Sequence, residues 1–315
     1  MKKKQAIHKE ARSEAKKTGF KEFARKLHQK KAPRFLSSLF FNLTLPILGP
    51  YAYFVEPRRV QVTHTKVPIK NLGKGLENFK IVQMSDIHFG PTNKSPRFIS
   101  KCVEKINKIK PDIVVLTGDF MQWDSSYAWE LGDLLKNMET THGIFACLGN
   151  HDYGVCHKDK PATDPVDFNE VIKAFESSNI RVLHNEKVVI QKDNHSLTVA
   201  GIGDFWTQHF KPEIVLEKNK NQTTVVLCHN PDGLEHIENF DFDLVLSGHT
   251  HGGQISFPII GPIAVPVKNK LHVRGLHSVG KNKNQWLYTN RGLGYIFKAR
   301  LFSRPEIALL ELEAA

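Results

Sequence analysis

The chain has 315 residues, 40% of them hydrophobic, enough to bury a sizeable core and to exclude disorder throughout. Its formal net charge of +12 looks like a nucleic-acid signal, but residues 1–34 hold thirteen Lys or Arg against three Glu. The other 31 basic and 29 acidic residues nearly balance, so the folded part should carry no basic groove and no nucleic-acid partner is implied.

Residues 1–34 form a basic tail with a weak helical period, Phe20, Phe23, Ala24 and Leu27 sharing one face. The plain alternative is a solvated, disordered extension. Next comes "FLSSLFFNLTLPILGPYAYFV", residues 35–55, uncharged and about the ~20 residues of a membrane span, yet interrupted by Pro46, Gly49 and Pro50. It reads as an anchor lying on an anionic membrane surface, as a true span, or as a core segment. A secretory signal fits poorly, because the basic region is long and no small-x-small cleavage site follows. Arg58 and Arg59 come after the apolar run, so they make no twin-arginine signal. The expected organisation is a tail over 1–34, a membrane-associating segment over 35–57 and a folded domain over 58–315.

From about Val60 short apolar runs alternate with helical stretches. "FKIVQMSD" and "PDIVVLTGD" predict buried strands. Between them "SPRFISKCVEKINKIK" predicts a helix capped by Ser95, with Phe98, Cys102, Val103, Ile106 and Ile109 on one face. "GIFACLGN", "NIRVLHNEKVVI", "SLTVAGIGD", "TTVVLCHN", "FDLVLSGH", "QWLYTN" and "EIALLEL" predict further strands, and "DPVDFNEVIKAFESS" another helix. The mixture favours two packed sheets with helices outside. Cys102, Cys147, Cys156 and Cys228 show no paired spacing and are expected to be free thiols in a reducing compartment, with a disulfide at Cys156 as the alternative.

The residues that close these strands carry the chemistry. "SDIH" offers Asp86 and His88, "TGDF" Asp119, "LGNHD" Asn150, His151 and Asp152, "LCHN" His229, and "SGHTH" His249 and His251. Each alone has an ordinary reading as a turn or helix cap. Five such stations together do not, because turns do not need imidazole, and strand ends in open α/β sheets share one crevice. The set mixes nitrogen and oxygen donors without thiolate, which suits Mn²⁺, Fe or Zn²⁺. It offers too many donors for one ion, and two ions about 3.5–4 Å apart would use them.

"DIH", "GD", "GNHD", "H" and "GHTH", in this order at these strand ends, resemble the calcineurin-like metallophosphoesterase superfamily over roughly residues 79–312. The resemblance implies an α/β fold, a four-layer αββα sandwich of two mixed sheets flanked by helices. It implies one metal on Asp86, His88, Asp119 and His251 and another on Asp119, Asn150, His229 and His249, with Asp119 as the bridge. The two ions, Mn²⁺ by preference, would lower the pKa of a shared water so that hydroxide attacks phosphorus in line. His151 would sit beside the leaving oxygen, and Asp152 would either orient its ring or hold the turn.

Within the superfamily, "YAYFVEPRRVQV", the spacing from "GNHDYG" to "NIRVLHNE", "TNRGLG" and "RPEIALLEL" resemble a membrane-associated bacterial branch that includes pyrophosphatases of lipid A synthesis. That resemblance implies a nucleotide-linked lipid substrate, UDP-2,3-diacylglucosamine, cut to UMP and 2,3-diacylglucosamine 1-phosphate at the cytoplasmic face of the inner membrane. The alternatives are an exported phosphodiesterase acting on another phospholipid or envelope ester, its domain outside by the positive-inside rule, and a metal-dependent scaffold without activity. The 153–168 loop reads as a substrate lid or a plain surface loop. Lys158, Lys160 and Arg291 are candidate phosphate contacts. Nothing in the sequence identifies a protein partner.

Overall fold

The computed structural model describes residues 46–315 except 91–92, 123, 159–165, 219–221 and 281–283. The basic tail and residues 35–45 of the 35–57 segment therefore lie outside the described residues. Among those described, no helix is long and apolar enough to cross a membrane.

The buried apolar runs pair as strands because they can hide both faces. β2 (Lys80–Met84), β3 (Ile113–Thr117), β4 (Ile144–Cys147) and β5 (Ile180–Val182) run parallel in that order. β14 (Glu306–Ala314) pairs antiparallel with β2 and parallel with β1 (Gln61–Ile69), which closes the first six-stranded sheet as β1-β14-β2-β3-β4-β5. The second sheet holds β6 (Glu186–Lys192), β7 (His195–Gly201), β8 (Thr223–Leu227), β9 (Leu244–Ser247), β12 (Gly275–Val279) and β13 (Gln285–Thr289), in the order β12-β13-β9-β8-β7-β6. A two-stranded hairpin, β10 (Ser256–Phe257) with β11 (Gly261–Pro262), stands apart.

Alternation of period two assigns each strand's residues to a layer. Ile81, Ile113 and Val115 from the first sheet meet Val225, Leu227, Leu244 and Leu246 from the second in one core. Their neighbours Val82, Met84, Val114 and Leu116 point to the other side, against three helices: α1 (Pro96–Ile109), α2 (Tyr127–Leu135) and α3 (Phe168–Glu176). On α1 the Ser95 side chain accepts from the Phe98 N–H, Pro96 opens the first turn, and Ile99, Cys102, Val103 and Ile106 are buried. Phe98 and Ile109, expected on that face, pack at its margin.

Both mixed sheets and the flanking helices match the expected sandwich, with one difference in its fourth layer. Ala200, Ile202, Val226 and Val245 on the outer face of the second sheet are covered by Val215, Leu216, Leu234, Ile237 and Phe242. Those residues lie in and around two 3-10 turns, Pro212–Ile214 and Pro231–His236, rather than in α-helices. The segment "NIRVLHNEKVVI", read as one strand, is two. It breaks after Val182, and β5 and β6 edge different sheets, with Asn185 left-handed at the break. β1, α2 and β12 were not anticipated. All four cysteines are free, and only Cys156 is partly exposed.

Packed structure begins before residue 58. Ala52, Glu56 and Pro57 are buried, the Ala52 carbonyl accepts from the Arg300 N–H, and the Glu56 carboxylate accepts from the Ser303 N–H at 2.7 Å. Removing residues 1–58 should therefore lower the melting temperature by several degrees relative to removing 1–45, since burial of Ala52 and the Glu56 hydrogen bond together contribute roughly 1–3 kcal/mol. Thermal melts of the two truncations check this.

Candidate metal centre

Every donor station follows the last residue of a parallel strand. β2 leads to Asp86 and His88, β3 to Asp119, β4 to Asn150 and His151, β8 to His229, and β9 to His249 and His251. Two sheets thus feed one crevice at their carboxyl ends. Asp86, His88, Asp119, Asn150, His229, His249 and His251 are all buried.

Five of the seven hold a left-handed backbone: Asp86, His88, Asp119, His249 and His251, with φ between 48° and 67°. An L residue enters this region at a cost, of order 1–3 kcal/mol where the conformation is sparsely populated. Its recurrence after β2, β3 and β9 turns successive side chains toward one point instead of alternating them across the sheet. Glycine makes room for the approach. A Cβ on Gly248 would overlap Ser85 Oγ and the Asp86 carboxylate, and one on Gly149 would overlap the Asp119 carboxylate. Gly248→Ala should therefore displace Asp86, reduce bound metal and cost roughly 1–3 kcal/mol of stability. Metal content per chain, with a melting curve, tests it.

The donors fall into linked groups whose ligand atoms lie within 4.8 Å of one another: Asp86, His88 and His251; Asp119, His229 and His249; and His88, Asp119 and His151. In the first group His88 Nε2 is 3.2 Å from His251 Nε2, which is 3.5 Å from Asp86 Oδ1. Asp119 Oδ2 stands 3.7 Å from His88 Nε2 and 3.1 Å from His229 Nε2. One carboxylate oxygen thus faces an imidazole from each side.

Burial and charge set the protonation of the group. Desolvation lowers His88 and His249 to about 3 and drives His251 well down, so these rings are neutral with lone pairs free to bind a cation. Burial lifts Asp86 to about 7. Burial acts upward on Asp119 too, yet His229 and His151 hold it well below the usual carboxylate range, and Asp119 in turn holds His229 well up. The carboxylates thus call for positive charge at His229 Nε2, which a divalent cation would supply in place of a proton. The Nδ1 of His229 meets the Thr117 carbonyl at 2.6 Å, which directs Nε2 at the cluster. Asn150 Oδ1 and both ring nitrogens of His249 are buried without a hydrogen-bond partner. Orphaned acceptors beside neutral imidazoles and carboxylates fit divalent cations, and the count fits two.

The same contacts fasten the two sheets together. The His249 N–H donates to both Asp86 oxygens, at 2.9 and 3.0 Å, while Gln83 Nε2 on β2 donates to the Ser247 carbonyl on β9 and to Thr117 Oγ1.

His151 lies beside the cluster, its ring 4.9 Å from that of His88 and its backbone N–H on Asp119 Oδ1 at 2.9 Å. Asp152 holds the turn: its oxygens accept from the backbone N–H groups of Asp119, Phe120 and Gly149, all within 2.9 Å. Arg291 pairs with Glu306 at 3.1 Å and also donates to Gln61. Lys158 places its ammonium 5.0 Å above the Phe205 ring, and Lys160 lies outside the described residues. Two residues at the site carried no advance signal as ligands. Trp206 sets its ring edge-on to His249 at 4.5 Å, and the buried Arg300 ties together carbonyls of Arg291, Gly292, Gly294 and Ser303.

The sequence pattern of the calcineurin-like phosphoesterases matches residues 79–253, more than half of the chain and every donor station. The chain belongs to that family. β13 and β14 fall beyond the matched range but complete both sheets of the metallophosphoesterase fold. The chain is 35% identical to "Phosphodiesterase YaeI" of Escherichia coli over 74% of its own length and 82% of the relative's. It is 29% identical to "UDP-2,3-diacylglucosamine pyrophosphatase LpxG" of Chlamydia trachomatis over 87% and 96% of the two chains. An "Uncharacterized metallophosphoesterase YkuE" of Bacillus subtilis is 27% identical over 89% and 97%.

Proposed function

We propose that this metallophosphoesterase hydrolyses the pyrophosphate of UDP-2,3-diacylglucosamine, releasing UMP and 2,3-diacylglucosamine 1-phosphate. The observation that carries the reaction class is the carboxylate of Asp119, placed between imidazoles of two donor groups. The substrate rests on the similarity to the chlamydial pyrophosphatases along nearly their whole length. Divalent ions held by the seven donors, Mn²⁺ by preference, supply Lewis-acid charge for the phosphoryl oxygens and make water a nucleophile near neutral pH.

The chain's own residues do the rest. His151 is partly buried at the edge of the cluster, where its ring can give a proton to the leaving oxygen. Asp152 is a positioning residue, fixing the amides that carry Asp119 and the turn before His151. Lys158 is assigned a phosphate contact, whereas Arg291 keeps its charge on Glu306. The apolar 35–55 segment suits an enzyme whose substrate sits in a bilayer, and the reading places the domain at the cytoplasmic face.

The deciding assay incubates purified protein and Mn²⁺ with UDP-2,3-diacylglucosamine and with a panel of phosphodiesters, products being identified by mass. UMP from the lipid is the expected product. Turnover of simple diesters without UMP from the lipid would leave a phosphodiesterase acting on another lipid or envelope ester, the reading that the similarity to YaeI favours. Protease protection of the domain in intact spheroplasts separates the cytoplasmic placement from an exported one.

A further inference from the structure

A second feature lies outside the donor cluster. A cavity of about 860 Å³ opens between the 51–58 segment, the start of α1 and the 295–298 loop. Its walls carry Arg58, Lys94, Arg97, Lys101 and Lys298 against one acid, Glu130. In a folded part whose charges otherwise nearly balance, this is a local excess of four positive charges. The volume suits an organic headgroup rather than a lone ion.

Lys94 is 5% exposed. Its ammonium donates to the Pro57 carbonyl and faces the rings of Phe98 and Tyr295 at 4.1 and 5.0 Å, and among the described residues no carboxylate pairs with it. Burial holds its pKa well below the ordinary lysine value, and an anion in the cavity would favour the ammonium form. The walls are fastened to one another. Asn93 and Tyr295 exchange hydrogen bonds at 2.8 and 3.0 Å, and Lys298 covers the Tyr53 ring at 4.6 Å.

Close to lining residues along the chain, Phe54, Val55, Ile296 and Phe297 are apolar and, like Tyr53 in the lining, each at least 41% exposed. This is also where the uncharged 35–50 sequence runs into the folded domain. Cations beside exposed aromatic and aliphatic side chains, next in sequence to the most apolar segment, match the chemistry of an anionic bilayer surface.

We infer that this cavity seats the phosphate headgroup of an anionic phospholipid, at a site separate from the metal centre, so that the catalytic domain itself grips the membrane. The inference goes beyond the proposed reaction and does not depend on which phosphoester is cut.

The test is co-flotation of the full chain with vesicles of phosphatidylcholine alone or with one third phosphatidylglycerol. The parent should favour the anionic vesicles. Arg97→Glu with Lys101→Glu, both exposed positions, should lower that partition about tenfold while hydrolysis of a soluble diester stays at the parental rate. Arg181→Glu with Lys187→Glu makes the same charge change on β5 and β6, away from the cavity, and should leave partition intact. Equal losses in the two pairs would mean diffuse surface charge and overturn the site, as would an unchanged partition in the cavity pair. Glycerol phosphate at millimolar concentration should not displace the protein from vesicles; displacement would make the ligand a soluble phosphate and overturn the membrane assignment. Absence of UMP in the lipid assay, with these results standing, would remove the substrate and leave the docking site.

Discussion

Asp119→Ala should lose both ions together. Its Oδ2 is the one carboxylate oxygen within 3.7 Å of an imidazole from each donor group, and its Oδ1 also takes the His151 N–H. Removing it leaves His229 and His88 with no carboxylate between them, so the two donor groups lose the oxygen they share. Metal analysis of the purified variant should fall from two ions per chain toward none, and turnover should drop by more than about 10³-fold, since charge stabilisation and the nucleophile are lost at once. A variant that still retains two ions would mean the bridge is another group. Asp119→Asn is a gentler partner: it preserves the volume and the contact to the His151 N–H but not the charge, and it should also fail to hold two ions.

His151→Ala should behave in the opposite way. The His151 ring stands against that of His88, yet it is the least buried of the histidines at the centre, and the Asp119 contact it makes uses its backbone rather than its side chain. The variant should keep both ions while kcat falls roughly 10²–10⁴-fold, the usual range for a lost general acid. The drop should be largest for substrates with poor leaving groups and small for an activated aryl diester, whose leaving oxygen needs no proton. Loss of metal from this variant would reclassify His151 as a ligand, and an equal drop for both leaving groups would remove the proton-transfer role.

The donor set was legible in the sequence because its chemistry is hard to imitate. A turn after a strand is satisfied by Gly, Asn or Ser, so histidines and aspartates repeated after "IVQMS", "IVVLTG", "VVLC" and "LVLSG" ask for another explanation. The sandwich followed from buried runs alternating with amphipathic helices. What escaped notice depended on tertiary packing. β5 and β6 looked like one strand because only Leu183, His184 and Asn185 lie between them, and the break is visible only once the two halves pair with different sheets. α2 has its apolar spacing in only nine residues, and Gly132 within it lowers helix propensity. That glycine serves the contact with α3, where a Cβ would overlap Ser178 Oγ. Arg291 reads as a phosphate contact from its glycine-flanked position, and its pairing with Glu306, fifteen residues away, is a tertiary contact that the local sequence does not announce. Asp152 left two roles open in the sequence, and its three backbone partners favour holding the turn.

The fastening of one sheet to the other beneath the metal centre, through Gln83, His229 and the Asp86–His249 contact, bears on how substrate preference could change. A crevice pinned on both walls cannot widen by swinging its halves apart, so bulky and slender esters meet the same reactive floor. Selectivity is then left to the segments around the floor, among them the β10–β11 hairpin, whose Pro262 lies against Gly253 two residues after His251. Exchanging that hairpin between relatives should retarget the chemistry without rebuilding its engine.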